Sequence, residues 1–221
     1  TTTCMQIDLD KLFKNGFSTG HGHLREPNDI MSYSALAAIA IQSNQNDQHG
    51  GQSIPAFDYY LAPGVLKTFK KMLKTTIKDY IDLEDLNDFV NVASIEKEIA
   101  KINTIDITVE YFEKFYKNSE LMKRLFDMSI KKSLEKTDKR TYQAMEAFVH
   151  NLNTMHSRAG AQVPFSSINF GTDISSEGRM VTKNYMLASE AGLGQGETPI
   201  FTISIYKVKE GVNYNPEDPN Y

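Results

Sequence analysis

Ser43-Asn44-Gln45-Asn46-Asp47-Gln48-His49-Gly50-Gly51-Gln52-Ser53-Ile54-Pro55 is the stretch on which the fold turns. Eleven polar or glycine residues, Ser43 to Ser53, separate a helical apolar pattern from a strand-like one. Amides, histidine and paired glycines gain little from burial and cost conformational entropy to order. Such a run between two core elements is therefore expected to be a surface or functional loop. Upstream, Ile30 to Gln42 carries Ala, Leu and Ile almost all round, which predicts a helix buried on most faces. Asn28 or Asp29, after Pro27, supplies its N-cap. Downstream, Ser53 to Tyr60 predicts a strand, and Pro63-Gly64 a break before an amphipathic helix from Val65.

Three further strands are expected, at Cys4 to Leu9, Val163 to Gly171 and Ile200 to Val208, the last with clear period-two alternation. Lys11 to Phe17 predicts a short amphipathic helix or turn. Ser175 or Ser176 caps a helix that runs to about Ala191 and stops at Gly192, Gly194 and Gly196. Residues 80–156 are charged and helical, a long insertion or helical hairpin whose apolar positions include Phe112, Tyr116, Leu125 and Phe126. Strands separated by helices, without tight two-residue hairpins, predict an α/β class with parallel pairing through crossovers. In such sheets ligands gather at the carboxyl ends of strands, which singles out the loops after residues 9, 60, 171 and 208.

The 221 residues suffice for one large domain or two small ones, and 40% hydrophobic content fits a globular protein. A net charge of −4 gives no electrostatic case for binding nucleic acid or an anionic membrane. No apolar run approaches the roughly 18 residues that span a bilayer. No signal peptide is read, and the single cysteine excludes an internal disulfide and a Cys-based zinc site within the chain. Both features fit a cytoplasmic, reducing setting. The start at Thr1 without Met and the turn-rich Asn213 to Tyr221 are read as belonging to a fragment of a longer protein.

Cys4 has two readings: a packed apolar residue, or a redox thiol on a strand lining a cleft. His21-Gly22-His23, with His49, matches metal spacing only weakly and is better explained as surface loop. The polar lead-in to the third strand, His156 to Gln162, reads either as a solvated connection or as a phosphate and ribose contact, for which Arg158 is the natural phosphate partner by its fork geometry. Gly192-Leu193-Gly194-Gln195-Gly196 follows a helix and precedes a strand, the wrong order for a phosphate-cradling turn, and reads as a helix C-cap. Gly50-Gly51 instead precedes a strand, where glycines permit close backbone approach to a ligand.

Four blocks carry a family resemblance. They are Thr3-Cys4 with Lys11-Leu12-Phe13-Lys14-Asn15-Gly16-Phe17; Leu24-Arg25-Glu26-Pro27 through His49-Gly50-Gly51-Gln52-Ser53; His156 through Asn169; and Glu190-Ala191-Gly192-Leu193-Gly194 through Pro219-Asn220-Tyr221. With these, the chain resembles the anaerobic, class III ribonucleoside-triphosphate reductases, which are glycyl-radical enzymes. The resemblance implies the first half of a ten-stranded α/β barrel, a parallel half-sheet with crossover helices and a long helical insertion. It implies conversion of ribonucleoside triphosphates to deoxyribonucleotides, with formate as reductant.

By the same resemblance, a glycyl radical, installed by an iron-sulfur S-adenosylmethionine activase, passes to a thiyl cysteine on a finger loop. That thiyl takes the ribose 3′ hydrogen, and a second cysteine on the first barrel strand serves reduction at C2′. Cys4 matches the second position. Cys4 being the only cysteine, the thiyl cysteine and the structural-zinc cysteines lie outside this chain. The glycyl-radical loop and the ATP-binding regulatory cone are likewise not found in it, so no cofactor is expected here and the fragment alone is expected to be inactive. The family is dimeric and binds ATP or deoxynucleotide effectors near the helix starting at Pro27. The polar side chains the family uses to hold the effector differ here, and Arg25, Asn28 and Ile39 occupy their places. Arg25 and Asn28 are the effector candidates, and Gly50, Gly51, Gln52, Arg158, Ser167 and Asn169 the substrate candidates. A non-catalytic nucleotide-binding regulator with the same fold is the alternative. Another glycyl-radical enzyme, such as a formate lyase, is disfavoured by the Ser43 to Gly51 run.

Overall fold

The computed structural model describes residues 3–47, 49–86, 90–117, 119–156 and 160–221. In chain order they form β1 (Met5–Gln6), α1 (Leu9–Asn15), β2 (Phe17–Ser18), β3 (His23–Leu24), α2 (Ile30–Asp47), β4 (Gln52–Ile54) and α3 (Phe57–Leu83). There follow α4 (Val92–Lys101), a 3-10 turn (Val109–Phe112), α5 (Glu113–Tyr116), α6 (Glu120–Thr154), β5 (Ser166–Phe170), α7 (Ser176–Ala191) and β6 (Ile203–Tyr206). Two compact units result: Thr1–Val65 with Arg140–Tyr221, and Leu66–Lys139.

The first unit is built on a four-stranded sheet in the order β1-β4-β5-β6, every neighbouring pair parallel. The α/β class with helical crossovers is therefore what the chain adopts. One small antiparallel pair, β2 with β3, departs from the expectation of parallel pairing throughout. Register puts Ile7, Ile54 and Ile168 on one face, where they are 6%, 0% and 0% exposed. Against that face, Phe57 packs at 4.9 Å from Phe148 and 5.8 Å from Tyr185, and Tyr185 at 5.3 Å from Phe170. Phe57→Ala is expected to cost about 4 kcal/mol, because the void it leaves is walled by the Phe148 ring of α6 and the Tyr185 ring of α7. Thermal unfolding of the full-length protein checks this, and a loss below about 1 kcal/mol would contradict it.

The polar run is not the loop its composition predicts. Ser43 to Asp47 continue α2, and the segment ends in a short connection at His49–Gly51; Gln48 lies outside the described residues. The amides are held where they stand. Gln42 Nε2 donates to Asn151 O (3.3 Å), Gln45 Nε2 to Val163 O (3.3 Å) and Asn44 Nδ2 to Gln52 Oε1 (2.8 Å). Buried amides that find partners bear little penalty, so the helix extends by using them.

A second correction concerns Ser53 to Tyr60. The strand stops at Ile54 and a helix begins at Phe57. Pro63 and Gly64 lie inside that helix. Leu61, Val65, Phe69, Leu73, Ile77 and Ile81, each four apart, are at most 1% exposed, and burial of that stripe outweighs the hydrogen bond Pro63 removes. Gly64 has a separate reason: a Cβ there would lie 2.8 Å from the Tyr33 ring, so its bareness lets α2 and α3 approach.

The expected N-cap is Asp29, whose Oδ1 accepts from Ser32 N at 2.9 Å, and Ser175 caps α7 by accepting from Gly178 N. Gly192, with φ +76°, ends α7. The second unit is helical around Phe112 and Phe126, whose rings stack at 4.8 Å. On its surface Glu98 accepts from Lys101 (3.2 Å) and from Lys114, and the Lys114 bond holds the Glu98 carboxyl below its ordinary pKa. Among the described residues no helix is long and apolar enough to cross a membrane.

Candidate functional site

The second face of the sheet is open. Gln6, Ser53, Ser167 and Ile203 stand side by side in register, with Asn169 beside Ile205 one step along. Ser53, Ser167 and Asn169 are half-buried, while Ile203 and Ile205 are 55% and 41% exposed. A cavity of about 490 Å³ crosses this face from β1 to β6. Its polar wall carries the Cys4 thiol and the Ser53 and Ser167 hydroxyls, and its apolar wall is Phe165, Phe201 and Ile203. Phe165 and Phe201 meet edge to face at 5.0 Å.

Cys4 is exposed, so the packed-residue reading fails and the thiol is available to a ligand in the cleft. It sits one residue before β1, anchored because Met5 N donates to Gly51 O (3.2 Å) and Ile7 N to Ser53 O (2.8 Å). Gly51 and Gln52 line the same cavity. The Gln52 side chain is 2% exposed and its Oε1 accepts from Asn44, while its backbone N donates to Phe165 O at 3.0 Å. Ser167 Oγ reaches Gln52 O at 3.5 Å, and Ser53 Oγ donates to Asn169 Oδ1 at 3.1 Å. Gly50 has φ +105°, and what approaches it closely is the chain's own Thr3–Cys4 segment.

The remaining candidates lie elsewhere. Arg158 is outside the described residues. Arg25 is exposed after β3, and Asn28 precedes α2, where its N and Oδ1 both engage the Ser32 hydroxyl. Neither lines the Cys4 cleft. Ile39 borders a different cavity of about 390 Å³, together with His21 and His156. Among the described residues no group of three His, Cys, Asp or Glu side chains could hold a metal ion.

Three contributors escaped the sequence reading. Ser53 stands beside Ser167 only through the pairing of β4 with β5. Asn153 acts from α6: its Oδ1 accepts from Ile200 N (2.8 Å) and Phe201 N (3.0 Å) while its Nδ2 donates to Phe201 O, and so it fixes the apolar wall. Asn153→Ala is expected to cost about 2 kcal/mol through those orphaned backbone groups, read in thermal unfolding, with a value under about 0.5 contradicting the clamp.

Asp58 is the third contributor, wholly buried, with Oδ2 accepting from Gly171 N (2.8 Å) and Asp173 N (3.1 Å). It caps the carboxyl end of β5, where Asn213 and Asn220 also donate to Gly171 O. The loop after residue 171 is thus occupied by the protein's own polar network. The thiol cleft instead follows the amino ends of β4, β5 and β6, whose first residues are Gln52, Ser166 and Ile203.

The site is thus one exposed thiol among hydroxyls on the open face of a parallel α/β sheet. The family model described as anaerobic ribonucleoside-triphosphate reductase matches residues 1–221, and the chain belongs to that family. It is 28% identical over 221 residues to the anaerobic ribonucleoside-triphosphate reductase of Enterobacteria phage T4, covering all of this chain and 29% of that protein. It is 25% identical over 219 residues to the protein of that name from Escherichia coli (strain K12), covering 99% of this chain and 24% of that protein. The Haemophilus influenzae protein of the same name is 26% identical, with the same coverage. The chain thus spans about a quarter of the length of these curated relatives.

Proposed function

We propose that this chain forms the thiol-bearing half of a ten-stranded barrel within an anaerobic ribonucleotide reductase, and that Cys4 is its contribution to the chemistry. The observation that carries the reading is the exposed Cys4 thiol in a cleft shared with Ser53 and Ser167, in a chain of this family. In the whole enzyme a protein glycyl radical, installed by a radical S-adenosylmethionine activase, supplies the unpaired electron. The net change balances: the ribose C2′–O bond breaks and its oxygen leaves as water, a C2′–H bond forms, and formate is oxidised to carbon dioxide.

Within that scheme the Cys4 S–H bond breaks as the C2′–H bond forms, and the hydrogen and electrons given up as formate is oxidised to carbon dioxide restore the Cys4 thiol. Ser167, backed by Ser53 and Asn169, holds ribose hydroxyls, and the Gly51–Gln52 backbone edges the pocket. Phe165, Phe201 and Ile203 exclude water from a radical once the open face is covered. Arg158 is assigned to the triphosphate. Arg25 and Asn28 are assigned to the effector of a homodimeric enzyme.

The test is anaerobic activation of the full-length protein, followed by assay with ribonucleoside triphosphate and labelled formate. Deoxynucleotide and carbon dioxide are expected in equal amounts. Nucleotide binding with neither product would favour the non-catalytic regulator and sink the reductase reading.

A further inference from the structure

We infer that Gly50 is a positioning residue for the Cys4 thiol, and that the His49–Gly51 turn sets where this thiol stands in the cleft. The inference names a role within the reductase reading and rests on that reading for its functional meaning. The geometry comes from one position. Gly50 has φ +105°, a backbone conformation that glycine adopts freely and other residues rarely do. A Cβ built there would lie 1.6 Å from Thr3 O, 2.8 Å from Thr3 C and 3.2 Å from Cys4 Sγ. The first two atoms are backbone and cannot rotate aside. Any side chain at position 50 therefore displaces the Thr3–Cys4 segment itself.

Gly51 provides the contrast. No heavy atom lies within 4 Å of its Cβ position. Its carbonyl accepts from Met5 N at 3.2 Å, so the segment carrying the thiol is hydrogen-bonded on one side of Cys4 and seated against Gly50 on the other. Cys4 itself is exposed and lies just outside the two paired residues of β1. Its placement thus depends on these two contacts with the turn. A hydrogen-transfer group must sit within reach of one carbon, and displacement of about 1 Å can cost about a hundredfold in rate. The paired glycines then divide their work: Gly50 lends its missing side chain to Cys4, and Gly51 presents backbone to the cleft.

The test uses the full-length protein with Gly50→Ala, alongside Gly20→Ala as the control. Gly20 has φ +87° and open space around its Cβ position, so Gly20→Ala carries the left-handed backbone penalty without touching Cys4. The first readout is the iodoacetamide alkylation rate of Cys4 in the unactivated protein, followed on its own peptide by mass spectrometry. Gly50→Ala is expected to change that rate by about fivefold or more, and Gly20→Ala by less than about twofold. In the activated enzyme, kcat should fall about tenfold or more in Gly50→Ala with KM within about twofold.

An alkylation rate in Gly50→Ala equal to that in Gly20→Ala would overturn the assignment. Loss of the folded circular-dichroism spectrum in Gly50→Ala alone would overturn it as well, since the turn would then carry the fold rather than the thiol. Alkylation does not require Cys4 to be catalytic. If Cys4→Ser keeps full activity while Gly50→Ala shifts the alkylation rate, the reductase site fails and the positioning assignment stands.

Discussion

Cys4→Ser in the activated full-length enzyme is expected to lower deoxynucleotide formation by about a thousandfold or more, with the glycyl radical still formed. That is the scale of loss when a group that takes part in bond making is removed. Serine keeps the shape and a hydrogen-bonding tip, so the cleft should still bind nucleotide. What it loses is the weak S–H bond: an O–H bond is far stronger, and a hydroxyl does not yield its hydrogen atom to a carbon radical. The combination to look for is a collapsed kcat, a KM within about threefold and an intact radical signal. Equal turnover in Cys4→Ser and wild type would remove Cys4 from the chemistry and leave it as a rim residue of the cleft.

The largest stability effect outside the aromatic core is expected at Asp58. Asp58→Ala leaves the Gly171 and Asp173 amides without their carboxylate acceptor, at a site with no solvent exposure. The loss should be about 3 kcal/mol, since buried donors deprived of a charged partner bear the full desolvation penalty. Asp58→Asn keeps one acceptor oxygen and should lose roughly half as much. Denaturant unfolding of the full-length protein measures both. Asp58 does not line the Cys4 cleft, so at a temperature where the variant stays folded its kcat should fall far less than that of Cys4→Ser. A denaturation midpoint unchanged in Asp58→Ala would mean that water satisfies those amides.

The α/β class was legible because strand signals such as Ser166 to Phe170, alternating buried and half-buried, survive in the sequence as period-two patterns. So were the start of α2 at Asp29 and the glycine stop of α7, which depend only on local chemistry. The failures share one cause, tertiary partners overriding local preference. Asn44 and Gln45 look like loop residues until Gln52 and Val163 O are brought to them from elsewhere in the chain. Pro63 looks like a helix stop until the four-residue spacing of Leu61, Val65 and Phe69 is weighed against it.

For the cleft, the sequence singled out Cys4, Gly51, Gln52 and Ser167, which the fold brings together. Phe165, Phe201 and Ile203 could not be distinguished from core, because an exposed apolar wall and a buried one read alike in sequence.

The pairing of β4 with β5 sets Gln52 beside Ser166, residues separated along the chain by the whole helical excursion. During synthesis at about 5–20 residues per second, β4 leaves the ribosome roughly 6 to 23 s before its neighbour exists. Through that interval the buried polar face of Gln52 and the apolar Ile54 have no strand to pair with, and only β1 is available on the other side. The long α3–α6 excursion is made in the meantime, and its ends bring Phe57 and Phe148 together at 4.9 Å. Slow translation across residues 60–160 should therefore lower the soluble yield of the protein.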